Sequence, residues 1–295
     1  MLDLKFLSDL HSAHPDASRV AVKEFSVQGH RFSFNTGPFI MGVVNLSPDS
    51  WYRESVALTP AAAINRGKVL AAQGAAIVDV GAESSLGHAQ RVDELEQQTK
   101  LRPVIAGLSQ AGILTSAETY LPSVAEACLK AGAGILNITG AARTSEIYRL
   151  AAEHDAAVII CYVQGANVRE VGDFVFATDP VGAMYDYFAR QIEEATALGA
   201  EKLLIDPGLG FYYRNLQDSA TRVRHQMQVF LNSFRLRKLG FPVCHALPHA
   251  FEYFGEEVRC AEPFFAVLAA LGQTDVFRTH EVARTKAVLD TLRAF

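Results

Sequence analysis

Eight short apolar runs constrain the fold of this chain more than any other feature. Each is closed by polar or turn-forming residues and separated from the next by a longer segment. The runs occupy residues 39–45, 76–80, 112–118, 134–138, 156–161, 202–206, 242–246 and 274–278. A run of this length bounded by turn signals reads as a buried strand. Between them, segments such as 60–73, 123–131, 145–154 and 181–198 place apolar residues at i, i+3 and i+4, the spacing of one helix face. Strands that alternate with helices build parallel sheets, and eight alternations predict an α/β chain folded as a (β/α)8 TIM barrel. A length of 295 residues with 49% hydrophobic content suits a single barrel with a short extension.

Residues 1–38 fall outside the repeat and read as an N-terminal arm, which leaves 39–295 as the barrel domain. Within the arm, residues 24–34 alternate apolar and polar about Gln28-Gly29. That pattern predicts a β-hairpin covering the N-terminal end of the barrel, with an irregular arm as the alternative. The net charge is −5 and no basic run is present, which argues against nucleic acid and anionic membrane as partners. No apolar stretch is long enough to span a bilayer, and the first residues lack a basic segment followed by an apolar one, so a cytoplasmic location is expected. Cys128, Cys161, Cys244 and Cys260 are widely spaced and read as reduced, mostly buried residues rather than a disulfide or zinc framework.

In a barrel of this kind the C-terminal strand tips form one mouth, where ligands bind. The first tip, Phe39-Ile-Met-Gly-Val-Val-Asn45-Leu-Ser-Pro-Asp49-Ser50, ends an apolar run in an amide, a hydroxyl and a carboxylate. The other tips offer Asp79 and Glu83-Ser84-Ser85, Glu118, Asn137, Gln164, Asp206 with Phe211 beyond it, His245, and Arg278-Thr-His280. Acidic and amide groups at the middle strands suit the donor-rich edge of a flat polar heterocycle. Arg278 and His280, with Asn45 across the mouth, suit an anion. Asp79 and Glu83 read as supporting carboxylates. Trp51 reads as a lid or as loop packing.

These residues resemble the dihydropteroate synthase family, in order along residues 39–292. Four blocks carry the resemblance: Ile40-Met-Gly-Val-Val-Asn45-Leu-Ser-Pro-Asp49-Ser50, Val78-Asp-Val-Gly-Ala-Glu83-Ser84-Ser85, Leu204-Ile-Asp206-Pro-Gly-Leu-Gly210-Phe211, and Arg278-Thr-His280-Glu-Val282. The resemblance implies a TIM-barrel transferase that joins 6-hydroxymethyl-7,8-dihydropterin diphosphate to p-aminobenzoate and releases diphosphate with the help of Mg2+. It also implies a homodimer packed through C-terminal helices. Asn45 would serve the metal and the diphosphate, with Arg278 and His280 stabilising the departing anion. Glu118, Asn137, Gln164, Asp206, Phe211, Ser85 and His245 would line the substrate site.

Several positions depart from the family pattern. Leu86 stands where the second loop has arginine, Tyr212-Tyr213 replace a glycine and a lysine, and Glu118 replaces aspartate. The seventh strand reads Cys244-His245-Ala-Leu-Pro248-His249, without the family's lysine, so His245 or His249 would take part of the donor role. A divergent synthase acting on p-aminobenzoate or a related amine is one reading. A pterin-binding or regulatory paralogue without turnover is another, as is the same barrel acting on a different substrate. Against a pterin-binding methyltransferase module stand the Arg278-x-His280 pair and the lack of a cobalamin-binding segment.

Overall fold

The computed structural model describes residues 2–50, 52–84, 89–211, 213–216 and 218–295. The arm opens with helix α1 (Leu4–Ala13), capped by the Asp3 carboxylate, which accepts from the Phe6 amide. A hairpin follows, β1 (Phe25–Val27) paired antiparallel with β2 (His30–Phe32). Gln28 and Gly29 connect the strands with φ of 48° and 82°, the two left-handed residues that a tight hairpin turn needs.

The barrel strands are β3 (Phe39–Asn45), β4 (Ile77–Gly81), β5 (Thr115–Thr119), β6 (Ile135–Ile138), β7 (Ala157–Cys161), β8 (Leu203–Asp206), β9 (Cys244–Ala246) and β10 (Val276–Thr279). They pair in parallel in the order β8-β7-β6-β5-β4-β3-β10-β9. A parallel bridge between Ile205 and Val243, with Ile205 N donating to Pro242 O at 3.0 Å, joins the two ends into a nearly closed barrel. The third barrel strand starts later than the apolar run at 112–118, because the preceding helix continues to Gln110 and Gly112 turns the chain at φ 73°.

Outside the strands lie α2 (Pro60–Ala72), α3 (Glu94–Gln110), α4 (Pro122–Lys130), α5 (Thr144–Glu153), α6 (Pro180–Ala197), α7 (Ser219–Asn232), α8 (Phe251–Phe254), α9 (Ala261–Leu271) and α10 (Val282–Arg293). Side-chain caps set several starts: Thr59 accepts from Ala62 N ahead of Pro60, Asp93 from Glu96 N, and Asp218 from Thr221 N.

Strand residues alternate between two environments, as a period of two demands. Ile40, Val44, Val78, Val80 and Phe277 meet the helices in one buried cluster. Met41, Ile77, Ile135, Ile159 and Leu204 share a second cluster with Val27, Phe32 and Phe34 of the hairpin region, so the hairpin plugs the N-terminal end of the barrel. Further along the same inward faces the side chains turn polar, at Asn45, Asp79, Glu118, Asn137, Asp206 and Arg278. No helix among the described residues is long and apolar enough to cross a membrane.

Candidate active site

The C-terminal end of the barrel holds a cleft lined by Asn45, Ser50, Glu83, Ser84, Glu118, Phe211, Arg222, Gln226, His249, Arg278 and His280, with backbone and apolar groups of residues 209–210 and 246–248. Its floor is a charge network. Arg278 Nε donates to Asp79 Oδ2 at 2.8 Å, and an Nη of the same guanidinium donates to Glu118 Oε2. Asn137 Nδ2 donates to the same Asp79 oxygen at 3.1 Å, while Asn137 Oδ1 receives the Cys161 thiol at 3.4 Å. Asp206 is tied by Gly208 N at 2.7 Å, in a turn where Gly208 sits at φ 71° and a Cβ would lie 2.3 Å from Tyr162 O.

Burial sets the electrostatics of this floor. Desolvation pushes Glu118 up to about 7 despite the pull of Arg278, with Asp79, Asp206 and Glu83 adding like charge. Asp206 is pushed up to about 6, again by desolvation, against the Gly208 amide and Arg278. Asp79 is fully buried and its Oδ1 has no hydrogen-bond partner among the described residues, an unsatisfied acceptor under the cleft. The longer side chain at residue 118 is accommodated locally. Gly81 pairs with Glu118 across β4 and β5, and a Cβ there would lie 3.2 Å from Glu118 Oε2.

The opposite pole is built around His280. Glu262 of α9 accepts from His280 N at 2.8 Å, meets His280 Nδ1 at 2.6 Å and receives the Thr279 hydroxyl. With Nδ1 engaged by the carboxylate, Nε2 faces Asn45 Nδ2 at 3.5 Å. Tyr52 stacks on the imidazole with centroids 4.5 Å apart, and its hydroxyl donates to Glu281. Asn45 Nδ2 also donates to Ser55 Oγ at 2.6 Å, so the first loop and the last strand hold one another.

Of the residues singled out from sequence, Asn45, Glu118, Phe211, Arg278 and His280 line the cleft, and so do Glu83, Ser84 and His249. Asn137 and Asp206 lie beneath it, each 3% exposed. Ser85, like Trp51, Leu86 and Tyr212, lies outside the described residues. Two expected contacts are corrected. His245 is fully buried in the helix layer, its Nε2 3.0 Å from Ser233 Oγ and its ring 4.7 Å from Phe230. Strand parity explains this, because Cys244 shares the interior cluster of the barrel and the next residue must face outward. Gln164 spends its amide on its own loop: it receives Val175 N at 2.7 Å and donates to Val175 O at 3.1 Å and to Tyr162 Oη at 3.0 Å. The direction of Arg278 also differs from the anion contact expected of it. Two buried carboxylates draw the guanidinium down to the floor.

Other site residues escape a search of strand tips. Glu262 has a signal in hindsight, a lone carboxylate opening the apolar helix Ala-Glu262-Pro-Phe-Phe-Ala-Val-Leu. Arg169, from the loop after β7, is buried against the second loop; it donates to Ser84 O at 2.9 Å and Ala89 O at 2.6 Å, and its Nε lies 3.8 Å from Glu83. Glu83 in turn receives Tyr120 Oη at 2.7 Å and Val92 N at 3.1 Å. Neither Arg169 nor Arg222 carries a pattern that distinguishes it from a solvated surface arginine.

A parallel eight-stranded barrel with its buried charges gathered at the C-terminal strand ends defines a TIM-barrel protein with an enzyme-type site. Comparison with known proteins narrows the class. Residues 41–246 match the model of the pterin binding enzyme family. The chain is 28% identical over 263 residues to a dihydropteroate synthase of Synechocystis sp., covering 85% of this chain and 88% of that protein. It is 30% identical over 217 residues to a Streptococcus pyogenes dihydropteroate synthase, covering 72% of this chain and 76% of the relative. Among solved structures it resembles the Xanthomonas albilineans dihydropteroate synthase with 4-aminobenzoic acid, at a TM-score of 0.77 and 28% identity over 93% of this chain and 98% of that one. The same enzyme in complex with 7,8-dihydropteroate gives a TM-score of 0.75 at 27% identity, over 92% and 98% of the two chains. The chain belongs to the pterin binding enzyme family.

The raised Glu118 yields a stability prediction. A carboxyl near 7 in the fold and near its ordinary 4.5 in the unfolded chain binds more protons when folded between those values. Its contribution is therefore fully present below about 4.5 and is lost as pH rises through about 7. Glu118→Gln should flatten the pH dependence of the urea midpoint across that window; an unchanged slope would show that Glu118 does not titrate there.

Proposed function

We propose that this chain is a dihydropteroate-synthase-type transferase that joins a pterin-type methyl diphosphate to an arylamine and releases diphosphate. The acid floor carries the reading. Asp79 and Glu118 are held by one guanidinium, whose charge also acts on the buried Asp206, and Asp79 Oδ1 has no hydrogen-bond partner among the described residues. Such a floor suits a ring whose edge presents paired N–H donors, and each hydrogen bond to a charged acceptor contributes about 1.5–3 kcal/mol. Phe211 at the rim supplies a face for the ring.

In the proposed step the amine nitrogen lone pair forms the new C–N bond at the methylene carbon. The C–O bond to diphosphate breaks, its electrons leave on the diphosphate oxygen, and the nitrogen then sheds a proton to solvent. Held by Glu262 and stacked by Tyr52, His280 presents Nε2 to the departing anion beside Asn45. Arg278 orders the carboxylates under the ring.

The donor set fits Mg2+ in a limited way. Among the described residues no group of three or more His, Cys, Asp and Glu is placed to hold a metal. Magnesium nevertheless binds readily through one or two protein oxygens, with phosphate and water completing the shell. Asn45 has its amide nitrogen directed to Ser55, and its carbonyl oxygen would be such a ligand. The ion would supply charge neutralisation at the leaving group.

Two results test this reading. The wild-type protein should release diphosphate from 6-hydroxymethyl-7,8-dihydropterin diphosphate only when an arylamine and Mg2+ are both present. Asp206→Asn should lower kcat/KM by about 10–100-fold, as expected for one charged hydrogen bond. Binding of the diphosphate compound without release would favour the paralogue without turnover, and no binding would sink the reading.

A homodimer also belongs to the proposal. Phe264 on α9 is exposed and lines an apolar hollow of about 600 Å3 with Phe6, Met227, Leu231, Tyr253 and Phe254, and Leu271 on α9 and Leu292 on α10 are further exposed apolar side chains. Light scattering should give twice the 32.1 kDa chain mass, and Phe264→Glu should return it to the single-chain value. A wild-type monomer would exclude the dimer.

A further inference from the structure

Resting on the transferase reading, we propose that Arg222 is the specificity-determining residue for the amine co-substrate, receiving a carboxylate on its ring. Arg222 lies one turn into α7, the helix that Asp218 caps after the loop of β8, and Gln226 follows on the same face. Both line the cleft, with residue exposures of 9% and 3%.

Of the two arginines lining the cleft, Arg278 answers two floor carboxylates, whereas Arg222 answers one. Its Nη2 donates to Glu252 at 2.9 and 3.2 Å and to Ser219 Oγ at 3.5 Å, and Nη1 reaches Leu216 O at 3.4 Å. Its Nε is buried without a hydrogen-bond partner among the described residues, as is Gln226 Oε1. The Glu252 side chain is 50% exposed, so that ion pair is screened by solvent and exchanges readily for a ligand anion.

Among the described residues that line the cleft, Arg222 and Arg278 are the two permanent cations, and Arg278 is committed to the floor. Residues 246–250 contain no lysine or arginine. His249 is held neutral: burial drives its imidazole down to about 2, and the charges of Arg222 and His280 push the same way. The diphosphate end lies elsewhere, at Asn45 and His280 on β3 and just past β10, whereas Arg222 stands beside the β8 and β9 tips. An amine attacking from this side would carry its own anionic group toward Arg222, and a guanidinium matches a carboxylate with paired donors.

The test compares 4-aminobenzoate with 4-aminobenzamide, which share the ring and the nucleophile and differ in charge. Calorimetric titration uses the full chain with inorganic diphosphate and Mg2+ present. The wild-type protein should bind the carboxylate at least tenfold tighter than the amide. Arg222→Gln should erase that preference and Arg222→Lys should retain part of it. Glu252→Gln, at a solvent-facing position, should tighten 4-aminobenzoate about threefold and leave the amide unchanged, which keeps the test valid if the arginine variants fold poorly. No preference in the wild type, absence of binding included, or a preference that survives in Arg222→Gln, overturns the proposal. A preference lost in Arg222→Gln in a protein that releases no diphosphate would uphold Arg222 and reject the transferase reading.

Discussion

Inside the barrel mouth, one guanidinium holds two carboxylates that could not otherwise be buried together. Asp79 and Glu118 come from neighbouring strands, and Arg278 reaches both from β10 across the mouth. Burying an unpaired carboxylate has a penalty of several kcal/mol, and removing one partner of a buried pair destabilises a protein by about 3–5 kcal/mol. The position of Arg278 therefore fixes the positions of Asp79 and, through it, Asn137. Even with the cation present, Glu118 and Asp206 remain pushed up toward neutrality by burial. Such a floor is poised to accept a donor-rich ligand edge, since new N–H donors would favour the charged carboxylates.

A second device, independent of the first, orients His280, the residue proposed to meet the departing anion. Glu262 uses both oxygens on residues 279–281, receiving the Thr279 hydroxyl, two backbone amides and His280 Nδ1. The imidazole is thereby oriented before any ligand arrives, with Tyr52 packed against its face. Strand β10 thus delivers Arg278 to the acid floor while the turn after it delivers His280 to the opposite pole, and the two-residue spacing keeps their tasks apart.

How much of this is legible in the sequence depends on which physical level decides each residue. Apolar runs and their polar ends locate all eight barrel strands to within a few residues, because burial and period-two packing are local properties. The same runs lead to Asn45, Glu118, Asn137, Asp206, Arg278 and His280. The partner of Arg278 is not local: it depends on which carboxylates the barrel brings across the mouth, and a tip-by-tip reading assigns the cation to an anion instead. His245 fails on parity, since β9 is only three residues long and a shift of one position exchanges inside for outside. Gln164 fails because an amide at a loop start is equally able to bond its own backbone. Glu262, Arg169 and Arg222 lie on helices or outer loops, where only the assembled fold brings them to the mouth.

The central claim is that the floor selects a ring by its paired N–H donors. Equilibrium titration of the wild-type protein with 6-hydroxymethyl-7,8-dihydropterin and with its 2-oxo counterpart tests it most directly, since the adjacent C2-amino and N3–H donors of the first ring are broken up when C2 carries a carbonyl acceptor. Exchanging the amino donor for an acceptor should weaken binding by about 10–100-fold, the equivalent of one charged hydrogen bond. Equal affinity, or a preference for the 2-oxo ring, would contradict the account.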